Sequence, residues 1–498
     1  MRWYQRALGG CLAVAVGLVL SPASTASAKP HPHPAPATST TLTASATSLA
    51  QDSFVTFQAQ VTSNAGTPAG SVTFSDASNG SILGTSPLVS GTATLTTAAL
   101  APGTRQLVAS YGGSTSSAPS ASAPLAISVA QAGSYAATYQ IDAAHDGNQA
   151  VGAPQVSALT EQWTVTLGGT GGSLVEAGDV SYPVIAGGRV FVTVENTQTY
   201  GSTLYALDAI TGATDWSVAL AGTFGFSALA YDGQVIFALN YDGLLTAFSA
   251  STGHELWATQ MPDQWAFTAP PTAYDGVIYV SGAGYGGYVY AVSEADGVVQ
   301  WEETVENGDK SSPAVDDSGV YVSYACQQDY RFSLSGSLLW HNNTSCEGGG
   351  GSTAVLHGSA VYARGAYNTP VILSKAAGVT SGTFASKTAP AFDSNSMYTL
   401  DNGNLVAVDP SGSPDLWSFG DGTLVTAPVV AGGAVFVGST TGMVYAVSAS
   451  TGQQLWSGVA GSVILGPDEQ DADVLVGMAV GDGLLVVPAG NALTAFGG

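Results

Sequence analysis

Residues 54–61, Phe-Val-Thr-Phe-Gln-Ala-Gln-Val, alternate apolar and polar side chains, the period-two pattern of a strand with one buried face. Residues 71–74, 91–97 and 105–111 repeat it after turns, so a set of short strands is predicted over about residues 41–130. Further along, the pattern becomes pairs of apolar runs joined by tight turns. Residues 272–280, Thr-Ala-Tyr-Asp-Gly-Val-Ile-Tyr-Val, place Asp-Gly between two runs rich in β-branched and aromatic residues. Such a pair is a hairpin signal, because glycine enters the left-handed turn region without a Cβ clash. Hairpins of this kind begin near Val180, Ala228, Pro271, Pro313, Ala354, Pro390, Pro428 and Met478.

Each hairpin leads into a second recurring pattern that ends on tryptophan. Leu204-Tyr-Ala-Leu-Asp-Ala-Ile-Thr-Gly-Ala-Thr-Asp-Trp216 returns at 245–257, 289–301, 405–417 and 444–456, with a shortened copy at 330–340. The copies are about forty residues apart, the length of a four-stranded propeller blade. The wider gap between Trp340 and Trp417 predicts one blade without its tryptophan. The chain ends on Leu493-Thr-Ala-Phe496, a third strand with no fourth after it, whereas Glu161-Gln-Trp163-Thr-Val-Thr-Leu167 reads as a fourth strand with no blade of its own. The prediction is an all-β, eight-bladed β-propeller whose ring is closed by this N-terminal strand. Closure hides sheet edges that would otherwise pair with other chains. Trp163, Trp216, Trp257, Trp301, Trp340, Trp417 and Trp456 are assigned to blade docking, each ring wedging against the small residues of the next blade.

The phrase Tyr-Ala-x-x-x-x-x-Thr-Gly-x-x-x-Trp resembles the tryptophan-docking repeat of PQQ-like (quinoprotein alcohol dehydrogenase-like) eight-bladed β-propellers, over about residues 136–498. That family includes dehydrogenases that hold PQQ with Ca²⁺ on the propeller axis and a scaffold lipoprotein of outer-membrane assembly. The resemblance implies the fold. It carries over no Ca²⁺ ligand, no catalytic base and no adjacent cysteine pair, so catalytic, cofactor-binding and metal residues are expected to be none, and PQQ with Ca²⁺ is the alternative. Residues 41–130 resemble bacterial Ig-like domains of surface and secreted proteins, which implies a β-sandwich acting as a spacer.

The start reads as an export signal, residues 1–28, with Arg2 and Arg6, an apolar stretch from Cys11 to Leu20, and Ala26-Ser-Ala28 as the cleavage site. Residues 29–40, rich in proline and histidine, read as a tether, and 131–160 as a linker into the propeller at 161–498. The formal charge of −25 repels nucleic acid and anionic membrane. No later segment is a membrane span. Cys326 and Cys346 are expected to pair in the oxidising medium that an exported chain meets. The expected location is secreted or in the cell envelope, and the expected state a monomer.

Loops entering each innermost strand form the mouth of a propeller funnel, and a ligand would meet Glu176, Asp179, Phe224, Phe226, Trp265, Lys310, Asp468 and Asp471 there. Trp265 falls outside the repeat register, and an aromatic freed from docking can stack on a sugar or a cation. The functional expectation is a non-catalytic scaffold for an envelope or extracellular protein or glycan. A quinoprotein dehydrogenase and a wall-binding adhesin are the alternatives.

Overall fold

The computed structural model describes residues 35–498 apart from 46, 51–54, 79, 98–99, 101–102, 131–134, 169–176, 197–199, 285, 309, 344–349, 366–368 and 470–472. Two compact units separate within it. In the N-terminal unit, strands Thr38–Ala44, Val55–Ser63 and Thr92–Thr97 form one sheet, and Ser71–Asp76, Ser81–Pro87 and Gly103–Tyr111 lie together in another. Alternation along Val55–Ser63 is complete: Phe57, Ala59 and Val61 are buried and the residues between them exposed. Phe57 meets Phe74 of the other sheet with ring centroids 6.4 Å apart. The first strand begins at Thr38, inside the stretch read as tether, because Thr38 pairs with Ser63.

The C-terminal unit repeats one plan. Among the described residues, first strands Val184–Ala186, Ser227–Asp232, Thr272–Tyr274, Ala314–Asp316, Val355–His357, Ala391–Phe392, Val429–Ala431 and Ala479–Gly481 each open an antiparallel sheet. We number the sheets in that order. Seven sheets take their fourth strand from the chain that follows. The eighth takes it from Thr160–Thr166, which pairs with Ala492–Gly497 and sets Trp163 opposite Ala495.

A β-bulge breaks the register between third and fourth strands in every sheet, next to the residue facing the tryptophan where there is one: Ala206, Ala247, Ala291, Arg331, Ala407, Ala446 and Ala495. A bulge adds local twist, which leans each indole onto its neighbour. Nε1–H of Trp216 donates to the Ala250 carbonyl at 3.1 Å, Trp257 to Glu294 at 2.9 Å, Trp301 to Leu334 at 3.0 Å and Trp340 to Lys375 at 2.8 Å. Trp417 reaches Ala449, Trp456 reaches Leu159 and Trp163 reaches Ala209 in the first sheet. Each acceptor lies one sheet further on. The fifth sheet, with outer strand Thr380–Thr383, carries no tryptophan. Six of the rings lie on turn glycines; a Cβ added to Gly253 would sit 2.6 Å from the Trp216 ring, and that glycine has φ +67°.

Candidate functional site

The segment expected to be a linker is the centre of the C-terminal unit. Residues 136–149 meet the first strands of the eight sheets in turn. Ala136 and Ile185 exchange backbone hydrogen bonds at 2.9 and 3.0 Å; Tyr231 N–H donates to the Ala137 carbonyl at 2.8 Å. Thr138 Oγ1 donates to the Pro271 carbonyl at 3.1 Å. Val315, Leu356, Phe392 and Val430 N–H groups donate to Ala143, Ala144, Asp146 and Gly147 at 2.7 to 2.9 Å. Gln149 Nε2 ends the series on the Val480 carbonyl at 2.8 Å. First strands at the edge of a sheet lack a hydrogen-bonding neighbour on their open side, and buried backbone groups need partners. This belt supplies them.

The belt holds Gln140, Ile141 and His145 at φ of 55°, 80° and 55°. Positive φ in a β-branched residue such as Ile141 is a strained conformation that surrounding contacts must enforce. Those contacts are visible. Ile141 is 3% exposed, and Gln140 Nε2 donates to the Ala389 and Pro428 carbonyls at 3.3 Å each. His145 is fully buried, and burial pushes its pKa down. Its Nδ1 lies 2.7 Å from the Tyr139 carbonyl, and its Nε2 lies 3.2 Å from the Pro313 carbonyl and 3.2 and 3.0 Å from the Thr272 and Ser312 hydroxyls. Asp142 faces the Asp146 carboxylate, and burial with that like charge pushes its pKa up to about 7.

Above the belt the axis is filled. Arg364 follows the second strand of the fifth sheet, at a register position that carries Thr193, Ser281 and Ser323 in three other sheets. Its guanidinium Nη2 lies 2.7 Å from Glu469 Oε1, with both side chains about 93% removed from solvent. Glu469 belongs to the loop between Gln454–Val459 and Ala479–Gly481, and its Oε2 accepts the Thr353 N–H at 2.6 Å. Arg364 Nη1 donates to the Lys387 carbonyl at 3.0 Å. The Tyr139 hydroxyl reaches Glu469 at 3.5 Å, and its ring meets the Tyr182 ring edge-on at 5.6 Å. Groups from the first, fifth, sixth and eighth sheets thus converge on a tyrosine of the belt. In the sequence Tyr139 belongs to the lead-in stretch 139–145, Glu469 to the loop expected at the funnel mouth, and Arg364 to no pattern. Glu469 sits inside an acidic run, and its inward direction has no one-dimensional signature.

The residues expected at the funnel mouth divide. Phe226 is 1% exposed and belongs to the core shared with Ala228 and Phe191, so it does not meet ligand. Its neighbour Phe224 is 44% exposed, with its ring 4.5 Å from Tyr241. Trp265 is 52% exposed. Both lie on loops leading from an outer strand into the next first strand, at one end of the second and third sheets. Asp179 lies in strand Ala177–Val180, which pairs with Arg189–Asn196; it is half-buried, and burial raises its pKa. Lys310 and Asp468 sit on the corresponding loops of the fourth and eighth sheets. Cys326 is buried, at φ 65°. Glu176, Asp471 and Cys346 lie outside the described residues. Among the described residues no helix is long and apolar enough to cross a membrane.

Comparison with known proteins agrees with this geometry. The chain is 28% identical over 156 residues to the outer membrane protein assembly factor BamB of Yersinia pestis, and 29% identical over 153 residues to that of Escherichia coli. The matched parts cover 29% and 28% of this chain and about two fifths (40% and 39%) of those relatives. In fold it is similar to the quinohemoprotein alcohol dehydrogenase of Comamonas testosteroni, with TM-score 0.57 and 14% identity over 73% of this chain and 80% of that one. It is also similar to a europium-containing methanol dehydrogenase, with TM-score 0.54 and 15% identity over 67% of this chain and 86% of that one. Residues 42–130 match the bacterial Ig-like domain (group 3). Overlapping matches at 148–322, 242–386 and 331–496 span the repeats, and by them the chain belongs to the family described as outer membrane protein assembly factor BamB, a family of PQQ-like repeats.

Proposed function

We propose that the chain is an exported, non-catalytic eight-bladed propeller, closed through Thr160–Thr166 and carried on an Ig-like spacer, that docks a protein on the face presenting Phe224 and Trp265. The observation that carries this reading is the filled axis. Tyr139, Tyr182 and the Arg364–Glu469 pair occupy the centre, where a dehydrogenase of this fold would need room for a planar quinone. Among the described residues these buried side chains leave no stacking place for a planar quinone between them, which supports a reading without PQQ. Closure is supported by the indole bond from Trp163 to Ala209 and by a belt that contacts eight first strands in order. Export is supported by the leader-like residues 1–28 and by Cys326, which is disulfide-bonded; Cys346 is its proposed partner.

A protein partner is favoured over a small ligand because Phe224 and Trp265 stand half-exposed on loops that lead into first strands, and half-exposed aromatics commonly anchor protein interfaces. The relatives, outer membrane protein assembly factors, point the same way. The test is site-specific photocrosslinking from position 265 in cells. One defined envelope or extracellular protein should be captured, and Trp265→Ala with Phe224→Ala should weaken its binding by at least about tenfold. Unchanged affinity removes this face from the proposal. Dye reduction with added PQQ, Ca²⁺ and an alcohol would overturn the non-catalytic reading.

A further inference from the structure

One buried carboxylate breaks the repeat. In six sheets, the residue two positions before the one facing the tryptophan is aliphatic and fully buried: Leu204, Leu245, Val289, Leu405, Val444 and Leu493. In the fourth sheet Arg331 faces Trp340, so the same slot holds Asp329, which is 1% exposed. Neither of its carboxylate oxygens has a hydrogen bond of normal geometry, and no ion pair among the described residues includes it. Ser323, directly opposite on the second strand, is also 1% exposed; its Oγ makes no hydrogen bond of normal geometry, but it and the Asn342 side chain lie close enough to the Asp329 carboxylate to oppose the effect of burial on it. Asn342 lies opposite on the fourth strand. Directly paired residues point to one face of a sheet. Ser323, Asp329 and Asn342 therefore form an abreast row of oxygen donors inside an otherwise apolar layer.

An unpaired carboxylate in such a layer costs several kcal/mol unless something neutralises it. Among the described residues no ion pair includes it, and desolvation, opposed by the Ser323 and Asn342 side chains, pushes the Asp329 pKa up to about 6, still below the pH of most extracellular media. We propose that Asp329, Ser323 Oγ and Asn342 Oδ1 bind a hard, oxygen-seeking cation, Ca²⁺ or Na⁺, between the fourth and fifth sheets. The donor set contains no sulfur or imidazole, which selects against softer metals. One carboxylate with two neutral oxygens balances a monovalent ion fully and leaves water to complete the shell of a divalent one. The ion takes over the role that a leucine or valine plays in the sister sheets, filling the layer between neighbours, and it makes the stability of this sheet pair depend on the medium.

The test uses the whole exported chain, stripped with EDTA into choline buffer at pH 8, and followed by thermal melting. Millimolar CaCl₂, or NaCl at tenths of molar against choline chloride of equal ionic strength, should raise the transition by about 3–8 °C for one of the two ions. Asp329→Asn should abolish the shift. Ser323→Ala should move its midpoint to about tenfold higher ion concentration. Asp468→Asn should leave the shift intact, which separates this row from the acidic loop and from general screening of a chain of formal charge −25. Asp329→Leu restores the residue type of the sister sheets and so folds in any case. If wild type shows no ion-specific shift while Asp329→Leu melts higher than wild type at pH 8 but not at pH 5, a proton neutralises Asp329 and the cation site is overturned.

Discussion

Replacing Glu469 by alanine tests the filled axis most directly. The carboxylate holds Arg364 Nη2 at 2.7 Å and accepts the Thr353 N–H at 2.6 Å, in a place where both charged side chains are almost wholly desolvated. Its loss strands a buried guanidinium, whose remaining partners are the Lys387 carbonyl at 3.0 Å and the Thr353 carbonyl at 3.5 Å. Breaking one side of a buried pair costs roughly 3–5 kcal/mol, and an orphaned N–H costs about 1–3 kcal/mol more. Because the two losses share one group they do not add, and we expect on the order of 4 kcal/mol. Seven docking tryptophans and Trp265 lie in the propeller and none lies in residues 41–130, so tryptophan fluorescence during denaturant unfolding follows this unit alone. Glu469→Gln, which keeps one acceptor oxygen but sets an NH2 donor against the other donor and removes the charge, should also be destabilised, by no more than the alanine variant. The double variant Arg364→Met/Glu469→Leu should recover much of the Glu469→Ala loss, since an apolar pair of similar volume replaces a buried ion pair at little cost and the orphaned Thr353 N–H, about 1–3 kcal/mol, is what remains. A Glu469→Ala propeller within about 1 kcal/mol of wild type, or a double variant as unstable as the single one, would refute the desolvated axial pair.

The blade contacts and the belt give two further predictions. Gly253→Ala forces a Cβ into the Trp216 ring at a residue with φ +67°, and should destabilise by about 1–3 kcal/mol in the same unfolding assay, whereas Gly233→Ala, with open space around it, should cost less; equal losses would show that the indole contact is slack. The Asp142 pKa is raised from 3.8 to about 7 in the folded chain, so the folded state keeps its proton longer and stability falls as pH rises between those values. Asp142→Asn removes that loss, gaining on the order of 2–4 kcal/mol at pH 8 and almost nothing at pH 4; an equal gain at both pH values would show that burial and Asp146 do not govern this carboxyl.

The parts of this protein legible in one dimension are those made by neighbours in the chain. The period of the Trp phrase, the turn glycines, the hairpin starts and the orphan strand at Glu161–Leu167 follow from alternation and turn chemistry within about forty residues, and the pairing of Trp163 with Ala495 follows from counting strands. Phe224 and Phe226 look alike in the sequence, and only packing buries one and exposes the other.

Sequence alone fixed the repeating sheet and its docking indole, because each copy states the same local preferences again and the copies reinforce one another. Tertiary structure alone decided what lies at the centre. Arg364 and Glu469 are 105 residues apart, and the belt meets partners up to 331 residues away through backbone groups and the side chains of Thr138, Gln140, His145 and Gln149. Such contacts are made once, between segments with no shared period. They depend on where the ring brings eight inner strands together, and any residue with a polar backbone or a reaching side chain can make them.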